Sequence, residues 1–369
     1  MNNYNLTKMA TQLFFPGNLA QLDDAGLPSI LVYIPAFKLS DVLTGGDDST
    51  HPAFIVNGKK VPGFYYSKYQ NIVHNGAAYS LPAEDPQTSV TFDAALAVCE
   101  AKGAGWHLST AAEWAAIALW CKANGFLPYG NNDQGKDKRE GGYKAIPTQY
   151  HTNGLTSNVA TGTGPMLWSH NGDMSGIWDM NGNVWEWQGG VRCVWGEIQI
   201  FSNNDAANQE NPQNKQSTCW KAINATSGAL VDPECSPTAT PAKLSGNTVR
   251  IDFVDGAWKY STNVNSPSDE ARTCTFGKLT CTAEIGAAAI LLLRALALLP
   301  DEGTTAADYD NCTTMCNNSK PEQCLSRGGV WYMGSQAGVF HFNMACTREA
   351  VANVYGFRAA YIPGIGQEG

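Results

Sequence analysis

The chain has 369 residues, 43% of them hydrophobic and only 15% charged, with a net charge of -9. That length fits one large domain or two smaller ones, with enough apolar material for a sizeable core. The acidic balance argues against nucleic acid or an anionic membrane as partner, because both select basic patches.

In chain order, "MNNYNLTKMATQLFFPGN" holds one Lys and no long apolar run, so no secretory signal is expected. Residues 1–50 mix short apolar runs with a "TGGDDST" loop and read as an N-terminal arm or leading strands. Asn57-Gly58 between two β-prone runs predicts a hairpin. "TFDAALAVCEAKG" predicts a helix with Phe92, Ala95, Leu96 and Cys99 on one face, closed by Gly103. In "STAAEWAAIALWCKANG", Thr110 and Glu113 form a capping box. Trp114, Ile117, Ala118 and Cys121 are expected on the buried face of that helix, and Asn124-Gly125 at its end.

Residues 126–165 are rich in Gly, Asn and Lys and predict a long loop. Asn181-Gly182 predicts a tight turn between aromatic strands, with Trp185 and Trp187 on one face of the second strand and Glu186 on the other. Residues 203–280 turn polar and read as an insertion, with one hairpin in "TVRIDFVDGAWKYST". The run "IGAAAILLLRALALLP" is too short to span a membrane and carries Arg294, so it predicts a buried helix over 284–299. No solenoid-type repeat is present.

Eleven cysteines leave disulfides, free thiols and a zinc site open, although no CxxC pair occurs and no His stands near the cysteine clusters at ligand spacing. Cys99 and Cys121 read as buried free thiols.

"WHLSTAAEWAAIA", "DMNGNVWEW", and the pair Arg327-Gly-Gly and "GFRAAY" resemble, in order, the signatures of formylglycine-generating enzymes and their relatives. "GFYYSKYQ" resembles the opening segment of that family more weakly. The resemblance spans roughly residues 51–369 without the insertion. It implies an α+β C-type-lectin-like fold in its formylglycine-generating (sulfatase-modifying factor) variant, with short strands and long loops. The family's cysteine pair would fall near Met333 and Gly338, and neither is Cys. The six His show no H-x-x-x-H spacing, and no G-x-S-x-G elbow or P-loop occurs. An enzymatic function is therefore not expected; an atypical oxidoreductase of that family is the alternative.

The stretch "RGGVWYMGSQAGVFHFNMACTREAVANVYGFRAAY", residues 327–361, also resembles the variable region of diversity-generating retroelement target proteins, in which a lectin fold holds a frame while mutagenesis rewrites a surface patch. The resemblance implies diversified ligand-binding positions at Val330, Tyr332, Met333, Gln336, His341, Asn343, Met344, Ala345, Cys346, Val351, Asn353 and Val354. Adenine replacement in an Asn codon cannot yield Met or Gln, so Met333, Gln336 and Met344 must derive from other codons or be fixed. The frame is expected from Trp185, Trp187, Arg327, Trp331, Phe340, Phe342, Phe357 and Arg358.

Period-2 alternation places Phe340 and Phe342 towards the core and His341 and Asn343 on an open face. Taken alone, Met344 reads as core. The implied partner is a protein or glycan target on a cell surface, with no membrane insertion and no required cofactor; calcium is not indicated. The implied location is a virion, on the phage tail, or a cell surface, with the N-terminal region as candidate attachment. A structural tail or surface component whose patch docks a neighbouring subunit is a third reading.

Overall fold

The computed structural model describes residues 3–238 and 243–366, with side chains from residue 8 onward. Among the described residues, four α-helices run Asn3–Phe14 (α1), Phe92–Glu100 (α2), Ala111–Ala123 (α3) and Ala287–Ala295 (α4). Thr91 caps α2 through its hydroxyl, which accepts from Ala94 N–H. In α3, Thr110 and Glu113 make the expected reciprocal box. The single buried face predicted for α3 is too narrow: every residue from Ala111 to Ala118 is buried, because the helix is enclosed by its surroundings. Small Ala side chains on all sides permit that close packing. The run expected to be helical over 284–299 keeps its helix only to Ala295.

A five-stranded sheet has the order Asn18–Leu22, Pro28–Pro35, Gly63–Ser67, Ala359–Tyr361, Trp106–Leu108. Residues 18–35 are thus leading strands of the domain itself, and the chain's last strand closes between two of its early ones. Among the described residues, a twelve-stranded sheet and two two-stranded hairpins carry the rest. Within the twelve-stranded sheet, Gly338–Cys346 lies between Thr313–Cys316, running parallel, and Gln323–Gly328, running antiparallel. Gln323–Gly328 pairs with Trp185–Val194, which also takes Tyr355–Phe357 as a parallel neighbour.

Both hairpins foreseen from turn residues form. Ile55–Val56 pairs with Lys59–Lys60, and Asn57 and Gly58 have φ of 47° and 72°, the geometry of a type I′ turn. Ser245–Val254 pairs with Ala257–Asn263 around Asp255-Gly256. The 203–280 segment is continuous with the sheet: Glu197–Ile200 pairs with Ser245–Val254 and with Lys221–Ile223. Asn181-Gly182 does turn the chain, but only Trp178 precedes it in an isolated bridge to Ser169, so no strand stands on that side. Buried Asn side chains hold the turn instead: Asn181 donates to Pro128 O (2.9 Å) and Asn183 to Gln70 Oε1 (2.8 Å).

Among the described residues, no helix is long and apolar enough to cross a membrane. All eleven cysteines are free thiols, and Cys99 and Cys121 are buried.

Candidate recognition site

The Arg327–Tyr361 segment is built on buried polar anchors. Arg327 lies fully inside; its guanidinium donates to Leu296 O (2.8 Å) and Ala297 O (3.0 Å), the carbonyls that end α4. A cation at a helix C-terminus meets the negative end of the dipole and satisfies carbonyls that have no partner within the helix. Burial lowers the Arg327 pKa to about 10. Arg358 is held by Glu186 in a bidentate pair, Nε to Oε2 at 2.7 Å and Nη2 to Oε1 at 2.9 Å. Trp185 and Trp187 turn to the opposite face from Glu186, as alternation requires, and stack on Tyr355 at 5.1 and 4.6 Å.

Between these anchors the chain makes a tight loop. Gly329 has φ of 86°, and a Cβ there would come within 2.6 Å of the Ala337 Cβ, so glycine is required by both conformation and space. Trp331, Val330, Met333 and Ala337 pack beside Trp185, Trp187, Tyr355 and Phe357 in one apolar cluster. Phe340 and Phe342 are buried with Phe276 and Tyr309, as expected of the frame.

The sequence-predicted contact positions divide by burial. Tyr332, Gln336, Val351 and Asn353 are exposed, with Tyr332 at 52% and Val351 at 57%. Ala345, Cys346 and Val354 are half-buried. Val330, Met333, His341, Asn343 and Met344 are buried, which corrects the expectation of an open surface for them. The cause is the strand's central position. Alternation does separate its two faces, but both are covered.

On one face, His341 is fully enclosed and Trp185 Nε1–H donates to its Nε2 (3.0 Å). The proton therefore sits on Nδ1, which donates to Gln336 O (3.0 Å). Asn343 donates to Tyr355 Oη (3.2 Å), and its own Oδ1 accepts from Ala345 N–H (2.8 Å). The Cys346 thiol lies 2.6 Å from Tyr355 Oη. Met344 belongs with Phe340 and Phe342 in the other core cluster.

A second loop, not singled out from the sequence, borders the exposed residues. Gln134 N–H donates to Trp331 O (2.8 Å), Gly334 N–H donates to Asn132 O (2.8 Å), and the His151 ring stands 5.6 Å from that of Trp331. This loop exposes Tyr143 (61%), Ile146 (61%), Tyr150 (63%) and Leu155 (41%). Large apolar residues inside a turn-rich polar segment were the available signal, since nothing in such a loop would otherwise select them.

Burial lowers His51 and His341 to about 4 and His170 to about 3. In the unfolded chain they protonate near the ordinary value of about 6.5, so each contributes stability that is complete above that pH and lost as pH falls towards the folded value. Asp179, raised by burial to about 6, acts in the opposite sense. Three such groups against one predict that stability falls as pH drops from about 6 towards 4. Urea-unfolding midpoints across pH 7.5 to 4.5 measure it, and a flat profile contradicts the burial of these rings.

Residues 28–199, just under half of the chain, match the model of the Sulfatase-modifying factor enzyme 1-like domain. A search of curated proteins gives no match. Among solved structures, the Major Tropism Determinant P3c Variant aligns at 10% identity over 92% of this chain and 70% of its own, with a TM-score of 0.30. The Major Tropism Determinant I1 Variant gives 11% identity, 93% and 71% coverage, and a TM-score of 0.32. PvdO from Pseudomonas aeruginosa gives 12%, 90% and 94%, and 0.29. The family match contains both the Trp106–Ala118 and Asp179–Trp187 segments, and the α+β architecture is the formylglycine-generating-enzyme variant of the C-type-lectin-like fold.

Proposed function

We propose that this chain is a binding protein whose surface around Tyr332, Gln336, Val351 and Asn353 recognises a protein or glycan target on a cell surface, without a chemical step. The observation that carries the reading is the division just described: these side chains project outward from a segment whose anchors, Arg327, Arg358, Trp331 and the Phe340/Phe342 pair, are buried. Exposed substitutions usually change stability by no more than about 0.5 kcal/mol, so such positions can vary while the backbone persists. Tyr332 offers an aromatic anchor of the kind that dominates interface energy, and the loop that contacts Trp331 also exposes Tyr143 and Tyr150. In this reading the exposed positions are diversified in the manner of a retroelement target protein. The protein is carried on a phage tail or a cell surface, with its N-terminal region as attachment, and binding needs no cofactor.

Thiol chemistry of the family type is disfavoured by the residues present. Met333 and Gly338 stand where the resemblance implies cysteines, and a Cβ at Gly338 would already lie 3.0 Å from the Cys312 Cβ. Cys312 itself is fully enclosed, and burial pushes its thiol well above the ordinary range, which suppresses the reactive thiolate.

Sequencing the DNA around the coding region tests diversification. The expected result is a reverse transcriptase gene and an imperfect repeat of the segment encoding Arg327–Tyr361, with differences concentrated at the Tyr332, Gln336, Val351 and Asn353 codons. Absence of both removes the diversification claim. A repeat whose differences fall on the buried His341 and Asn343 codons contradicts the surface assigned here.

A further inference from the structure

A cavity of about 470 Å³ opens between the Pro28–Pro35 strand and its continuation to Val42, helix α3, and the His170–Ser175 loop. None of its lining residues belongs to the Arg327–Tyr361 segment. Its size falls in the range of small-molecule sites. Three aromatic side chains, Tyr33, Phe37 and Trp120, form part of the wall, and among the described residues no Lys or Arg lines it.

His170 also lines the cavity and is only 5% exposed. Its Nδ1 accepts from Ile177 N–H at 2.8 Å, which fixes the proton on Nε2. Among the described residues, no protein group accepts from that Nε2–H or from the indole N–H of Trp120. Burial keeps the His170 ring neutral at physiological pH, so it offers a donor without a charge. The carboxylate on the wall, Asp41, accepts from Lys38 N–H at 2.8 Å. The His170 Nε2–H is not among the buried donors shut off from solvent, so a ligand acceptor at this position would take the place of water.

We propose that this cavity is a second binding site, for an uncharged flat-ring compound bearing a carbonyl oxygen. The ring packs on the aromatic wall, and the oxygen accepts from His170 Nε2–H. An anion is disfavoured by Asp41 and by the absence of a basic side chain. A cation would meet the His170 N–H at its positive end, against the attraction of Asp41 and the aromatic faces, and trimethylanilinium measures that balance. The site is independent of the recognition surface.

Ligand-observed NMR on the full chain, with benzamide as probe and benzoate and trimethylanilinium as charged controls, tests the proposal. A nine-atom fragment of this kind is expected to bind with Kd of about 1 mM, and each control at least about tenfold more weakly. His170→Asn keeps an acceptor for Ile177 N–H but removes the distal donor, and is expected to weaken benzamide about tenfold, the worth of one hydrogen bond. Trp120→Phe preserves most of the ring packing and serves if His170→Asn does not fold; it should weaken the probe less than Trp120→Ala, which should abolish saturation transfer. Tyr332→Ala should leave benzamide binding unchanged, which separates this site from the recognition surface. Undiminished binding to both His170→Asn and Trp120→Ala, no binding of benzamide to the parent protein, or trimethylanilinium binding more tightly than benzamide, overturns it.

Discussion

Replacing Glu186 by Ala is expected to lower the free energy of unfolding by roughly 3–5 kcal/mol, a large fraction of the 5–15 kcal/mol typical of a folded domain. Glu186 and Arg358 are both within the interior, and the pair is bidentate. Arg358 uses its remaining donors on backbone carbonyls, Trp178 O at 2.5 Å, Lys68 O at 3.2 Å and Ser67 O at 3.4 Å, while Glu186 Oε1 also accepts from Gln70 Nε2 at 3.0 Å. One ion pair therefore ties the last strand to the early chain and to the turn before Trp185. Removing Glu186 leaves a guanidinium in the core with only the more distant buried Asp179 as counter-charge, and that poorly compensated charge, rather than the lost contact, sets the size of the effect.

Arg358→Lys should also destabilise, because an ammonium cannot reach both carboxylate oxygens and three carbonyls. The double variant Glu186→Gln with Arg358→Met should lose less than the sum of the losses of Glu186→Gln alone and Arg358→Met alone, since neither partner is then a buried lone charge. Urea unfolding of the four proteins gives the coupling directly. A loss below about 1 kcal/mol for Glu186→Ala would show that the interior relaxes to hydrate the arginine.

Local chemistry was legible in the sequence wherever one or two residues decide a conformation. Asn57-Gly58 dictates a turn that needs positive φ at both positions, and Thr110 with Glu113 dictates a helix start; both elements form where the residues stand. The GNVWEW and Arg327-Gly-Gly segments were readable because they combine glycine geometry with buried aromatic and charged side chains, which few other arrangements accommodate. The site was legible as a segment but not as a surface. Alternation in "VFHFN" states that His341 and Phe342 face apart; it carries no information on whether Trp185 and Tyr355, more than ten residues away on either side in the chain, cover the second face. Burial of a polar residue depends on partners distant in sequence, and the His341 ring needs one of them, Trp185, besides the nearby Gln336 O. The 203–280 segment was misleading for a related reason. Its polar composition includes buried side chains such as Asn204, Thr248 and Arg250, and Val249, Ile251, Trp258 and Tyr260 are among the apolar positions that join the core.

The strongest test of the recognition surface compares the exposed and buried halves of the predicted contact set. Met344→Ala should cost about 2–5 kcal/mol, because it opens a cavity in a packed cluster with Phe340 and Phe342. His341→Ala should also destabilise measurably, since it strands the buried Trp185 N–H and removes a ring stacked on Trp185. Tyr332→Ala, Gln336→Ala, Val351→Ala and Asn353→Ala should each stay within about 0.5 kcal/mol of the parent. A library randomised at those four exposed positions should therefore remain folded in most members, by protease resistance on a display platform. A library randomised at Val330, Met333, His341, Asn343 and Met344 should be largely unfolded. If the second library folds as well as the first, the buried face is plastic and the binding surface extends inward to the aromatic stack. If the first collapses, the exposed residues hold the fold, and a surface that must keep its chemistry to stay folded cannot serve many partners.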